Sequence, residues 1–151
     1  MLSLFGDHPD ASACKCIPSP PAQEALQKAD AVFSGVVERF EPDDTRYEEP
    51  SADPGQRKYV IKTRVLTAWI TVWTQWKGVP EPRTKVNTAE NTAVCGYPFA
   101  VGREYLIYGT RDRHGEIHAS LCSRTRPMDE AGEDLKALGP GLAAAAPGSS
   151  P

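Results

Sequence analysis

The stretch Cys14-Lys15-Cys16-Ile17-Pro18 decides how the rest of the chain is organised. The prolines that end and follow it fix backbone φ, lack an N–H and push each preceding residue toward extended geometry. The segment is therefore predicted to be a stiff, extended strip. Because alternate residues of an extended chain share a face, Cys14 and Cys16 point one way and Lys15 points the other. Such a strip presents one exposed side chain between two anchors, which is typical of a display edge rather than of a core element.

The four cysteines of the chain indicate two disulfides. A zinc site more often has paired C-x2-C or C-x2-C/H-x3-H motifs, so a metal site is the second interpretation. A bridge between Cys14 and Cys16 would close a very strained small ring. The remaining possibilities are Cys14–Cys95 with Cys16–Cys122, or the crossed pairing. Either one closes long loops and requires an oxidising compartment.

The composition is that of one globular domain. The chain has 151 residues, of which 40% are hydrophobic and 25% charged, and this is enough for a sizeable core. We assign the domain to residues 14–138. The net charge is −3 without a basic stripe, so nucleic acid is not an expected partner. No apolar run approaches the roughly 18 residues of a membrane span, and we expect a monomer without a cofactor.

Residues 1–13 are predicted to be a leader or the remnant of a signal peptide. Ala11-Ser12-Ala13 matches the small-residue cleavage pattern directly before Cys14. The charged start and the apolar stretch of a complete signal are missing, so either Met1 lies downstream of the true translation start or the match is chance. We favour the first interpretation, which predicts a secreted protein, extracellular or periplasmic.

The hydrophobic pattern predicts a mainly β architecture. A short helix over residues 22–29 precedes the strands and a helix over residues 127–138 follows them, while Gly35 marks a bulge or a bend of the barrel. This order is typical of an OB-fold-like, five-stranded Greek-key barrel with an N-terminal helix, a C-terminal helix and two disulfides. The predicted strands are residues 31–40, 58–76, 84–88, 104–110 and 116–120.

Two segments are predicted to lie outside the regular elements. Residues 41–56 read as a long acidic loop, which is either functional or a variable insertion. Residues 139–151 are rich in Gly, Ala, Pro and Ser and read as a disordered tail. Trp69, Trp73 and Trp76 are predicted to be core residues rather than a platform for a ligand.

Several motifs, in one order, resemble a known family. Together they resemble the tissue inhibitors of metalloproteinases, and the chain is identified as a bacterial-type, single-domain relative of that netrin-like inhibitor domain. The resemblance runs from Cys14 to about Ser123. The motifs are Cys14-x-Cys16-x-Pro18, Ala29-Asp30-x-Val32-Phe33, Val36-Val37, Val94-Cys95-Gly96-Tyr97, Glu104-Tyr105-Leu106-Ile107-x-Gly109 and His118-x-x-x-Cys122-Ser123.

The resemblance implies a disulfide pairing and a mechanism. The pairing is Cys14 with Cys95 and Cys16 with Cys122. The α-amino nitrogen and carbonyl oxygen of Cys14 would chelate the catalytic zinc of a target metalloendopeptidase and displace its reactive water. The inhibitory ridge that the resemblance implies consists of Cys14, Lys15, Cys16, Ile17 and Pro18, flanked by Ala93 and Val94.

The implied chemistry is physically consistent, apart from one side chain. An α-amine has a pKa of about 7.7–8.0, so a useful neutral fraction exists at pH 7. A catalytic zinc keeps one position open, which an amine and a carbonyl can fill together. In the family, the small residue after the first cysteine enters the S1′ pocket of the protease. Lys15 stands there in this chain, and a charge in an apolar pocket is costly. The mechanism also requires that residues 1–13 are removed.

The sequence also bears on two other classes of function. The alternative to an inhibitor is a non-inhibitory netrin-like or OB-fold binding module for an extracellular protein or another ligand. An enzyme is not expected, because His8, His114 and His118 are scattered and no nucleophile elbow, HExxH or glycine-rich phosphate loop is present.

Overall fold

The computed structural model describes residues 14–43, 46–49, 55, 58–61, 65–79 and 81–144. The Ala11-Ser12-Ala13 pattern and the last seven residues of the predicted tail lie outside these ranges. In chain order the regular elements are α1 (Ala22–Lys28), β1 (Ala31–Asp43), β2 (Arg46–Glu49), β3 (Lys58–Ile61), β4 (Val65–Lys77), β5 (Arg83–Ala89), β6 (Glu104–Arg111), β7 (Ile117–His118), β8 (Arg126–Pro127), α2 (Gly132–Leu138) and β9 (Leu142–Ala143). Short 3-10 helices occupy Thr92–Val94 and Met128–Glu130.

Five of these strands close into a barrel. β1 pairs antiparallel with β4, and β4 pairs antiparallel with β5. β5 runs parallel to β7, which pairs antiparallel with β6, and β6 returns to β1. This closed ring confirms the predicted mainly β, OB-fold-like barrel with two helices and two disulfides.

The interior of the barrel holds the larger of two apolar cores. β1 directs Phe33 and Val37 inward and β6 directs Tyr105 and Ile107 inward, where all four side chains are essentially inaccessible to solvent. The predicted bulge at Gly35 is present as a register shift between β1 and β4. A Cβ at this position would collide with Ile70 and with the carbonyl oxygen of Thr71 across the ladder, so only glycine allows this close approach of the strands.

The smaller core lies between the barrel wall and the two helices. Val32, Leu106 and Tyr108 alternate with the inward residues of β1 and β6, and they pack against Ala25 of the N-terminal helix and against Ala131. Both faces of these two strands are therefore buried, which explains their nearly continuous apolar sequences. Neither helix of the described chain is long and apolar enough to cross a membrane.

Four predicted boundaries differ from the structure. The strand predicted over 58–76 is two strands, β3 and β4, and only β4 belongs to the barrel. The predicted loop 41–56 contains the end of β1 and all of β2, which pairs with β3 as a separate hairpin. The helix predicted from residue 127 starts at Gly132, after β8 and a 3-10 turn. Beyond it, β9 pairs with β4, so the predicted tail is ordered as far as residue 144.

The prediction that all three tryptophans are core residues is wrong for Trp73. Its side chain is 60% exposed, whereas Trp76 packs against the smaller core and donates an indole N–H to the carbonyl of Gly139 at 2.8 Å. The pairing of β1 with β4 shifts register between residues 72 and 74 and again between residues 75 and 77, so strict alternation does not hold in this part of β4. Trp76 lies outside the barrel wall against the smaller core, whereas Trp73 is exposed to solvent.

Candidate functional site

The predicted strip is fastened to the end of the barrel by both disulfides. Cys14 is bonded to Cys95 and Cys16 to Cys122, with Cα–Cα distances of 5.1 and 5.0 Å. This is the pairing that the family resemblance implied. No regular secondary structure is assigned to residues 14–20, and Lys15 lies exposed between the two anchors, as the strip geometry predicted.

On the barrel, the partner of Cys14 is Cys95, which lies in a tight turn. The 3-10 helix Thr92–Val94 begins at Asn91, whose side chain accepts a hydrogen bond from the Val94 N–H. Cys95 ends this helix with φ of 66°, in the left-handed region that non-glycine residues seldom adopt. Gly96 then passes so close to the carbonyl oxygen of Ala89 that a Cβ would collide with it. The turn therefore fixes where the Cys95 side chain projects.

Hydrogen bonds join this turn to the segment that carries Cys122. The N–H of Leu121 donates to the carbonyl oxygen of Cys95 at 2.8 Å, and Gly96 forms an isolated antiparallel bridge with Ser120. The two cysteines on the barrel are thus positioned by backbone contacts in addition to the disulfides.

A buried carboxylate positions a second anchor for the strip. Asp134 of α2 is fully buried and binds Arg124 through two hydrogen bonds of 2.6 and 2.8 Å. Arg124 in turn donates to the carbonyl oxygen of Pro20 at 3.1 Å. Tyr108 donates its hydroxyl to Asp134 at 2.7 Å, and Arg126 lies 3.5 Å from the same carboxylate. This arrangement links the C-terminal helix to the strip through one arginine.

The pKa values of this group follow from the same contacts. Burial alone would raise the pKa of Asp134, but the hydrogen bonds from Arg124 and Tyr108 outweigh it and leave the pKa below its ordinary value. Burial, together with the hydrogen bond to Asp134, raises the pKa of Tyr108. Asp134 is therefore ionised and Tyr108 is neutral at physiological pH.

Three exposed apolar side chains and one cation lie on the strip and on the turns that hold it. Ile17 is 86% exposed, Val94 46% and Leu121 37%. Lys15 is the one charged residue of segment 14–20. Exposed apolar side chains beside a cation, on a segment that two disulfides hold in place, are suited to docking in a cleft of another protein.

The structure brings the predicted ridge residues together and adds others. The Cys14–Cys95 disulfide places residues 14–18 beside Ala93 and Val94, which directly precede Cys95 in the chain. Ala93 is half-buried and Val94 is exposed. Sequence reasoning missed Leu121, Arg124 and Asp134. Asp134 had a usable signal, since it lies three residues after Ala131 and four before Leu138 on the apolar face of the predicted helix, where an unpaired carboxylate would be costly.

Among the described residues, two groups have the donor atoms for a metal ion. Cys14, Cys16 and Cys122 form one group, and all three are in disulfides here. The other group is Asp112, Glu116 and His118, of which His118 lies in β7 and the other two precede it in the chain. Asp112 is already engaged, because it accepts from the N–H groups of residues 114 and 116 and lies 2.7 Å from His118 Nε2. The hydrogen bond to His118 lowers the pKa of Asp112. These hydrogen bonds explain why the three side chains lie close together without a metal ion.

Known proteins share this sequence pattern. The chain matches the family described as tissue inhibitor of metalloproteinase over residues 12–135. It is 31% identical to metalloproteinase inhibitor 2 of Cavia porcellus over 131 residues, which are 85% of this chain and 55% of that protein. It is also 31% identical to metalloproteinase inhibitor 2 of Homo sapiens over 121 residues, 79% of this chain and 50% of the human protein.

The chain spans about half the length of these curated relatives. The match to the family includes the strip, the barrel and all four cysteines of both disulfides. Because it covers most of the chain, the chain belongs to the tissue inhibitor of metalloproteinase family.

Proposed function

We propose that this protein is a secreted, non-enzymatic inhibitor of zinc metalloendopeptidases. The observation that carries the proposal is the strip itself, which two disulfides hold on the barrel with Lys15 and Ile17 exposed. Family membership supports the same function. Two bridges in a small domain agree with export to an oxidising compartment.

In this proposal the ridge of residues 14–18, Ala93 and Val94 enters the active-site cleft of the protease. The α-amine and carbonyl oxygen of Cys14, freed by removal of residues 1–13, bind the catalytic zinc of the target and displace its water. The Cys14–Cys95 bridge and the anchor at Pro20 hold both donor atoms in place, so little conformational entropy is lost on binding. Exposed Ile17 and Val94 supply the apolar contact area on either side.

The experiment compares two proteins that differ by one residue. One begins at Cys14, and the other carries a single alanine before Cys14. The extra residue removes the free amine and crowds the zinc, so we expect the first to inhibit at least one enzyme of a panel of zinc endopeptidases and the second to be weaker by orders of magnitude. A Cys14-start protein with one alanine added at its C-terminus is the matched control and should remain fully active.

The same pair of proteins separates the two candidate functions. Equal inhibition by both forms, or inhibition by neither, would remove the chelation mechanism. The non-inhibitory binding module would then be the better account of the fold. Because only a neutral amine binds zinc, we also expect inhibition by the Cys14-start form to weaken as the pH falls below the amine pKa of about 7.7–8.0.

A further inference from the structure

The two disulfides are packed against each other rather than separated. Cys14 Sγ lies 3.6 Å from Cys122 Sγ and 4.0 Å from Cys16 Sγ. Cys95 Sγ lies 4.0 Å from Cys122 Sγ. In a tetrahedral thiolate site with zinc–sulfur bonds of about 2.3 Å, neighbouring sulfurs are about 3.8 Å apart. Three distances between sulfurs of different bridges are therefore close to those of a four-thiolate metal site, and reduction would let the two sulfurs within each bridge move apart.

Contacts other than the disulfides keep these cysteines close. The turn at Cys95 and the segment at Cys122 are joined by the Leu121–Cys95 backbone hydrogen bond and by the Gly96–Ser120 bridge. The strip is tied down by Arg124, which donates to Pro20, and by the Ser19 hydroxyl, which donates to the carbonyl oxygen of Cys122 at 3.4 Å. Cys16 is three residues before Ser19, so after reduction of both bridges the strip is still attached close enough for Cys14 and Cys16 to return to Cys95 and Cys122.

We infer that the fully reduced protein binds one thiophilic divalent metal ion, such as zinc, through Cys14, Cys16, Cys95 and Cys122. A dithiol reductant supplies the electrons: two molecules deliver four electrons and four protons to the two disulfides and leave as two oxidised molecules. The four resulting thiols then release their protons as the thiolates bind the metal. The bound ion would then replace the two disulfides as the link between the strip and the barrel.

An entry path to the site exists on the barrel side. A cavity of about 410 Å³ opens beside the disulfides and is lined by Val94, Cys95, Tyr108, His118 and Cys122, among others. An ion and its departing waters can reach the sulfurs through this cavity without opening the barrel. The chemistry predicted here does not use the Cys14 amine, so it stands or falls separately from protease inhibition.

Cobalt(II) is the probe for the test, because its tetrahedral thiolate complexes have intense visible absorption. The full chain is reduced without oxygen by a phosphine and titrated with cobalt, which is then displaced by zinc. We expect saturation at one ion per chain, tetrahedral thiolate bands, and a rise in the melting temperature of the reduced protein. The oxidised protein should show none of these bands.

Single serine substitutions at the four cysteines supply the discriminating controls. Each should weaken metal binding by on the order of tenfold or more in the reduced protein, since only three thiolates remain. All these forms lack disulfides once reduced, so they are matched in covalent structure. Asp112→Asn, in the other group of donor atoms, should leave the thiolate bands unchanged. Failure of the reduced chain to bind cobalt, a stoichiometry other than one, or full affinity in Cys95→Ser would overturn the inference.

Discussion

At the scale of single residues, we expect Lys15 to govern which proteases the proposed ridge accepts. It is exposed between two bonded cysteines and is the one charge in the strip. Burying it in an apolar pocket leaves an unpaired cation, whereas a pocket with a carboxylate would pair it. We expect Lys15→Thr to improve inhibition of proteases with an apolar S1′ pocket by on the order of tenfold or more, because burying an unpaired polar group costs about 1–3 kcal/mol.

The control for this prediction is Lys28→Thr, which removes an exposed lysine of α1 away from the ridge. Inhibition constants for both variants, measured on proteases with apolar and with acidic pockets, check the prediction. The same constants for Lys15→Thr and the unchanged protein on every protease would show that residue 15 does not enter the pocket.

Asp134 is the residue on which the arginine anchor depends. Asp134→Asn leaves Arg124 without its buried counterion, and breaking a buried pair in this way costs about 3–5 kcal/mol. Urea denaturation should show this loss, while Glu133→Gln on the exposed neighbour should change the free energy of unfolding by less than about 0.5 kcal/mol. Equal stability of the two variants would contradict the importance of the pair.

The same carboxylate predicts a pH dependence. Its folded-state pKa is lowered below the ordinary 3.8, so the folded state binds its proton less readily than the unfolded state does. The stabilisation is therefore complete above the unfolded pKa and is lost as the pH falls through the folded pKa. The stability difference between the unchanged protein and Asp134→Asn should be constant near pH 7 and shrink below about pH 4. A difference that grew with acidity would exclude this assignment.

At the scale of elements, the strip depends on its two bridges. Replacing Cys16 and Cys122 together by alanine removes a bridge with a sequence separation of 106 residues. We expect a loss of about 2–5 kcal/mol in the free energy of unfolding and freer motion of residues 14–18. Thermal unfolding and peptide mapping under non-reducing conditions check the prediction. A crossed pairing in the unchanged protein would refute the arrangement.

The elements that the sequence predicted well are those with a single local cause. The run of β-branched residues in β1, the bulge at Gly35 and the proline-rich strip each follow from the preferences of their own residues. The division of residues 58–76 into two strands could not be predicted, because the alternation of the sequence continues across the break. Only the folded protein shows that β3 pairs with β2 whereas β4 pairs with β1 and β5. α2 begins later than predicted because Arg126 and Pro127 pair with β6. The helix propensities of single residues cannot reveal such a long-range contact.

The candidate site was predictable only in part for the same reason. Its covalent frame follows from four cysteines and a family resemblance. The link from Asp134 through Arg124 to Pro20 depends on side chains that meet only in the folded protein. The exposure of Trp73 could not be predicted, because register shifts in the pairing of β1 with β4 interrupt the alternation of β4 at this residue.

At the scale of the whole molecule, the barrel type does not imply binding of nucleic acid. Three cations surround the Trp69 ring, with Arg39, Arg83 and Lys85 at 5.0, 5.1 and 4.7 Å from its centroid. Two of them are already paired, Arg39 with Glu41 at 3.1 Å and Arg83 with Glu38 at 2.6 Å. With a net charge of −3, we expect no micromolar binding of single-stranded DNA at about 150 mM salt. Fluorescence anisotropy with a labelled oligonucleotide checks this, and tight, salt-sensitive binding would contradict it.

The most direct measurement of the central claim observes the metal of the target. The zinc endopeptidase that the Cys14-start protein inhibits most strongly is prepared with cobalt in its active site, and its visible spectrum is recorded with and without the inhibitor. If the Cys14 amine and carbonyl oxygen bind the metal, the cobalt bands must shift on binding. They should stay unchanged when the α-amine has been acetylated. Tight inhibition with no change in the cobalt spectrum, or an equal shift with acetylated protein, would contradict zinc chelation by Cys14.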